Sequence, residues 1–290
     1  MAEADFSDAA LVLVGHGSTV NADSSAPVYQ HADEFRRRGG FAQVVEGFWK
    51  LEPGIAGVLR GVFARRVFIV PVFISQGYFT EQVIPRELGL CANGEPNFAR
   101  VQQRGEQTLY YCQPVGTSDR MTEVILARAQ EVVRRFPFPR VPPVKSTALF
   151  IAGHGTGNNE NSRQAIERQV ELIRARQLYA EVHPAFMEED PRIAQCYAVA
   201  QARYLVVVPF FISEGLHTST DIPELLGEAP RLIQERLRQG QPAWRNPTER
   251  QGKLLWYAGS VGSAPEVAEV IWERVRQAAE LRIGDANAGC

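Results

Sequence analysis

Residues 149–159 read LFIAGHGTGNN, and residues 11–21 read LVLVGHGSTVN. In each, an apolar run of strand character stops at a histidine held between two glycines. Such a turn sets one imidazole at the edge of a sheet. The glycines let the chain bend sharply and let a ligand approach the backbone. Neutral imidazole is a base near neutral pH and a ligand for first-row divalent metals such as cobalt, nickel and iron. A single Gly-His-Gly reads as well as a histidine that caps a helix or bonds a carbonyl. Two copies, and a second histidine further along, point to chemistry.

The two phrases are 138 positions apart, and the same shift holds downstream. Phe48 falls on Phe186, and Pro53 on Pro191. VPVFISQGYFTEQVIPRELG (70–89) lies on VPFFISEGLHTSTDIPELLG (208–227) without a gap. LYYCQPVGTS (109–118) then pairs with LWYAGSVGSA (255–264) at a shift of 146, so eight residues are inserted in the second copy near QGQPAWRNP. The chain is a tandem duplication of a unit near 140 residues, too long a period for a solenoid. Each copy is expected to be a domain, residues 1–140 and 141–290. The Pro-rich FPFPRVPPVKS (136–146) is the expected linker.

Each copy repeats one order of elements. A strand (LVLV or LFIA) ends in Gly-His-Gly, and a polar helix follows. In NSRQAIERQVELIRARQ, Ile166, Val170 and Ile173 recur on one helical face. A second strand comes next, then a helix expected to open near Pro53 or Pro191, since proline fits a helix's first turn. A third strand (VFIVPVFI; YLVVVPFFI), a long loop and a helix lead to a fourth strand and a closing helix. Continuously apolar strands alternating with helices predict an α/β fold: two similar doubly wound domains with parallel sheets.

Composition narrows the functional classes. The 290 residues are 45% hydrophobic and 22% charged, with a formal net charge of −2. These values are ordinary for a globular protein and give no electrostatic reason to expect nucleic acid or an anionic membrane as partner. No apolar run approaches the roughly 20 residues that span a bilayer. MAEADFSDAA lacks the basic region and apolar core of a signal peptide, so a cytoplasmic location is expected. Cys91, Cys112, Cys196 and Cys290 are scattered without a CxxC pair and read as reduced thiols, with Cys112 in the core. No GxxxxGK[ST] occurs, and no GxGxxG follows a first strand. A phosphohistidine enzyme is disfavoured, because Gly15 or Gly153 stands where an arginine would hold phosphate.

Ligands of open parallel sheets bind beyond the carboxyl ends of the strands. Gly-His-Gly, FMEEDP and SEGLHTSTDIP all fall there, and the edges of the two copies are expected to face one cleft. The copies differ at the informative positions. The second has His154, Glu188 and His217; the first has His16, Lys50 and Phe79. Two imidazoles and a carboxylate make a plausible set of metal ligands, whereas lysine and phenylalanine do not. The second copy is therefore expected to hold the chemistry, with the first as a degenerate partner. Glu188 is preferred to Glu189 by the gapless alignment.

These motifs, GHGT, FME and PFFISEGLHTSTDIP, resemble the class II tetrapyrrole chelatases, in particular the sirohydrochlorin chelatases of the CbiX and SirB type, over nearly the whole chain. The resemblance implies a bilobed chelatase-like fold. It implies ATP-independent insertion of Co2+ or Fe2+ into sirohydrochlorin or a related tetrapyrrole, with the metal as substrate and no organic cofactor. It maps His154, His217 and Glu188 onto the family's metal-binding and catalytic positions, and leaves open which imidazole takes the proton and which holds the ion. Lys50 and Arg86 are then candidates to pair with substrate carboxylates. Trp49, Tyr78 and Phe79 are candidates to lie against the macrocycle, with solvated surface charge and core packing as the plainer alternatives. His16 either lines the site or survives as a turn residue. A non-enzymatic metal carrier or sensor on the same scaffold is the rival reading. The chain would act as a monomer or a homodimer. Cys290 can be read as the start of a further module of the kind some family members carry. His31 is expected to be exposed on a polar helix, and His183 packed or hydrogen-bonded on the second strand.

Overall fold

The computed structural model describes residues 5–19, 21–91, 98–155 and 160–283. Thr156 of the second GHGT and Cys290 lie outside them. Two five-stranded sheets carry the fold. Strands β1 (Ala9–Gly15), β2 (Gln43–Phe48), β3 (Arg66–Pro71), β4 (Val101–Arg104) and β5 (Gln107–Tyr111) run in the order β2-β1-β3-β5-β4. Strands β6 (Thr147–Gly153), β7 (Glu181–Phe186), β8 (Tyr204–Pro209), β9 (Thr248–Arg250) and β10 (Lys253–Tyr257) repeat it as β7-β6-β8-β10-β9. Four strands of each sheet are parallel, as the apolar runs require. β1 and β6 are buried along their whole length, which is why they read as unbroken hydrophobic stretches. The fifth strand of each sheet, β4 or β9, is an antiparallel edge strand. Its polar residues hid it in the sequence, since an edge strand has little apolar face to show.

The chain divides into two compact units, one of residues 1–118 with 265–290, the other of residues 119–264. The expected division at 140/141 follows the copies; the compact units follow the contacts, and the difference is an exchange of closing helices. Helix Met121–Arg135, encoded by the first copy, packs on β8 and β10 of the second. Trp256 donates its indole N–H to the Phe136 carbonyl (2.8 Å), Thr122 bonds Gln169 (2.7 Å), and Arg128 bonds the Ser260 carbonyl (3.0 Å). Helix Val267–Ala279, encoded by the second copy, packs on β3 and β5. Arg274 donates to the Pro114 carbonyl (3.1 Å), and Trp272 stacks on Phe41 at 4.9 Å.

Two local expectations are corrected. Pro53 and Pro191 do not sit in a helix's first turn. Each follows a cis peptide bond, and the helical segments begin two residues later, at Ile55 and Ile193. His31 is not exposed. In helix Ala26–Arg38 it joins Val28, Ala32 and Phe35 on the inward stripe and is 1% accessible, because three- and four-residue spacing decides which side is buried whatever the polarity of the neighbours. Other expectations hold. Ile166, Val170 and Ile173 are buried on helix Glu160–Ala175. His183 bonds Glu181 at 2.9 Å and stacks on Phe150. Cys112 is a core residue as expected; Cys196 is buried as well, and burial pushes both thiols up to about 12.

Candidate active site

The strand order explains why three distant segments meet. In each sheet the chain runs outward from the first strand to the second, then crosses back to the third on the other side. The first and third strands are neighbours at this switch point, where ligands of doubly wound sheets bind. His154 follows β6, Glu188 follows β7 and His217 follows the loop after β8, so β7-β6-β8 delivers all three to one edge.

The Gly-His-Gly turn has a simple physical cause. A Cβ on Gly153 would stand 2.1 Å from Ile166 Cδ1, so this position lets the following helix close on the sheet. Gly155 has φ +64° and would place a Cβ 2.6 Å from that of Phe186. The first copy repeats the pattern at Gly15 and Gly17. Between these constraints the Glu188 N–H bonds the His154 carbonyl (3.2 Å), as the Lys50 N–H bonds the His16 carbonyl (2.9 Å).

His217 opens a single π-turn, His217–Asp221, closed by the Ile222 N–H on the His217 carbonyl. Such wide turns recur at functional sites. Thr218 holds the start, accepting the Gly215 N–H at 2.9 Å, and Tyr257 donates its hydroxyl to the Thr218 carbonyl at 2.7 Å. Burial, with Glu214 nearby, pushes the Tyr257 phenol well above its ordinary range, so that it remains a donor.

The rings of His154 and His217 lie 4.9 Å apart at 84°. That centroid separation is short enough for two imidazoles to share an ion at roughly 2 Å from one nitrogen of each. His154 Nε2 is 3.8 Å from Glu188 Oε1, and Glu188 is 59% exposed. Glu189 is held away, 3.2 Å from Arg163. His154 Nδ1 is buried without a partner among the described residues. Those residues contain no group of three or more His, Cys, Asp or Glu side chains placed to hold a metal ion together, so His154, His217 and Glu188 do not form a three-donor set here. The arrangement is two adjacent imidazoles with one exposed carboxylate beside them.

Sequence reasoning missed Asp221. Its Oδ2 accepts from His217 Nδ1 at 2.7 Å. A carboxylate only accepts, so this bond fixes the hydrogen on Nδ1 and leaves the Nε2 lone pair for an ion or a proton. The signal was available as a carboxylate four residues after the histidine, on the same face of the turn.

In the first copy, Phe79 occupies the place of His217 and Val83 that of Asp221. His16 meets Phe79 edge-on at 5.0 Å and Trp49 at 5.2 Å, and Tyr78 and Phe73 pack against Phe79. Lys50 lies over Trp49 at 4.5 Å. His16, Lys50, Tyr78 and Phe79 are thus brought together as an aromatic group with one cation. Arg86 is exposed and paired with its neighbour Glu87 at 3.2 Å.

The CbiX family model matches residues 10–132 and again residues 148–278. The chain belongs to the CbiX family. That membership makes it a metal chelatase with the family domain twice in one chain. It is 42% identical, over 96% of its own length and 94% of the relative's, to a probable sirohydrochlorin cobaltochelatase of Halobacterium salinarum. A sirohydrochlorin cobaltochelatase of Methanopyrus kandleri is 27% identical over 139 residues, which are 45% of this chain and 96% of that one. Among solved structures, a multi-domain Deinococcus radiodurans protein with structural similarity to chelatases superposes with a TM-score of 0.74 at 30% identity. The match covers 98% of this chain and 58% of that one, so this chain spans a little over half of that protein. SirB from Bacillus subtilis with Fe3+ shares the fold, with a TM-score of 0.65 at 16% identity over 94% of this chain and 96% of that one.

No helix among the described residues is long and apolar enough to cross a membrane.

Proposed function

We propose that this chelatase inserts Co2+ or Fe2+ into metal-free sirohydrochlorin or a closely related tetrapyrrole, without ATP, in cobalamin or siroheme biosynthesis, and that the second copy carries the reaction. The observation that supports this reading is the approach of His154 and His217 to 4.9 Å with Glu188 beside them. Insertion needs an ion held over the ring while two pyrrole N–H protons leave. His217, with Nδ1–H directed to Asp221, holds the ion through Nε2. His154 takes a proton, and Glu188 balances the charge of the ion and accepts protons at the solvent side. The roles of the two imidazoles are interchangeable on this geometry. In the first copy, Tyr78 and Phe79 offer apolar surface to a flat ring, His16 borders it, and Lys50 and Arg86 offer charge to substrate carboxylates.

The test is direct. Purified protein is incubated with metal-free sirohydrochlorin and either ion, and the absorption change of insertion is followed. Insertion by the parent, lost in His154→Ala and His217→Ala, is the expected result. Parental rates in both variants would remove the site assignment. The ratio of the Co2+ and Fe2+ rates assigns the metal.

A further inference from the structure

In the first copy, the space behind the Phe79 turn is filled by an ion pair. Arg100, 3% exposed, bonds Glu81 at 2.8 Å. Its guanidinium lies 5.6 Å from the Phe98 ring and 5.4 Å from the Tyr111 ring. The strand register sets Trp244 and Tyr257 of the second copy at the positions of those two rings, and they meet at 6.3 Å. The filling is absent. Asn246 stands where the first copy has Arg100, and Ser219 where it has Glu81. Asn246, just before β9, is turned to the neighbouring strand β10, exchanging two hydrogen bonds with the Tyr257 backbone (2.8 and 2.7 Å), and Ser219 bonds the Gly215 carbonyl at 2.6 Å. A pocket of about 390 Å³ opens in their place, lined wholly by residues between 128 and 263. Losing a buried ion pair is often harmless when apolar side chains fill the room. Here the room is left open, and an open cavity forfeits packing.

We infer that this pocket receives one carboxylate-bearing pyrrole edge of the substrate, an inference that rests on the tetrapyrrole reading above. The position fits: Thr218 and Ser219, the two residues after His217, form part of the wall. The size sits at the low end of the roughly 300–1,000 Å³ of small-molecule pockets, enough for an edge of a macrocycle rather than the whole. Trp244, Tyr257 and Phe136 supply flat apolar walls for a pyrrole. Arg135 supplies the charge. It is exposed, lies over Phe136 at 5.3 Å, and has no ion pair among the described residues. The two wall carboxylates already have partners, Glu131 in the wall cation Arg128 at 2.6 Å and Glu214 in the Ser260 N–H at 2.7 Å. Leu281, in the compact unit that holds the first sheet, takes the position of Arg135, so the corresponding place there carries no charge.

The experiment uses the full chain and metal-free sirohydrochlorin as the probe, with its dissociation constant read from the quenching of tryptophan fluorescence. One variant refills the pocket with the first copy's own pair, Asn246→Arg with Ser219→Glu. A second, Arg135→Gln, changes only an exposed side chain. The refilled protein is expected to bind at least about tenfold more weakly, a change of roughly 1.4 kcal/mol. Arg135→Gln is expected to bind about two- to fivefold more weakly, the range of an exposed charge pair, and to lose that difference when the probe's carboxylates are methyl-esterified. Parental binding by Arg135→Gln, or by a refilled protein with the parent's circular dichroism, overturns the assignment. A parent that binds the probe but inserts no metal overturns the proposed reaction and leaves the pocket standing. A parent that does not bind it overturns both.

Discussion

His154 meets His217 at 4.9 Å and 84°; His16 meets Phe79 at 5.0 Å and 73°. The frame around the two pairs is copied bond for bond. Thr80 and Thr218 accept the Gly77 and Gly215 N–H groups at 3.0 and 2.9 Å. Tyr111 and Tyr257 hold the carbonyls of those threonines at 2.6 and 2.7 Å. The π-turn of the first copy, Phe79–Val83, is closed by the same bond as the second. The candidate donors differ, at Glu188 against Lys50, His217 against Phe79 and Asp221 against Val83. The fold builds the same edge twice, and on the reading proposed above three side chains set the two edges apart in what they can bind.

The contrast breaks most sharply at the histidines. His154→Ala and His217→Ala should each slow metal insertion about a hundredfold or more, the scale of a lost acid–base group. His16→Ala should stay within a few-fold of the parent in the same absorption assay. Equal losses at His16 and His154 would mean that the two copies are not divided into active and degenerate. Asp221→Asn comes next. It keeps the shape but replaces the acceptor of the Nδ1 hydrogen, and should weaken Co2+ binding about tenfold by calorimetry, as outer-shell partners of ligand histidines do.

The shared frame can be probed separately. Gly17→Ala and Gly155→Ala should both lower stability by more than about 1 kcal/mol in urea melts, because both positions have positive φ and no room for a Cβ. A loss at one alone would show that the frames are less alike than their bonds. The smallest expected change is also the most pointed. Lys50→Glu, Phe79→His and Val83→Asp together should restore the first copy's donors and raise the Co2+ stoichiometry from one to two per chain.

The duplication was legible because glycine, histidine and proline are held in place by backbone geometry, so their register survives where side chains drift. The parallel strands were legible because burial on both faces forces unbroken apolar runs. His154, Glu188 and His217 could be singled out because the copies disagree there. Asp221, the aspartate of D-I-P, was not singled out because it reads as a solvated loop carboxylate until the turn that folds it back on His217 is known. The edge strands escaped because residues such as Gln102 and Gln103 carry no alternation. His31 was misplaced by its polar neighbours, although its spacing from Val28 and Phe35 already set it inward. The vacated Arg100–Glu81 space could not be read at all, since an ion pair across 19 residues is visible only once both partners are placed.

The crossed closing helices have a consequence for how the gene could be cut. A break near residue 140 would release two halves, each carrying the cover for the other's sheet and lacking its own. Made separately, both would bare an apolar sheet face and clump; made together, they would be expected to find each other and regain activity without a covalent tie.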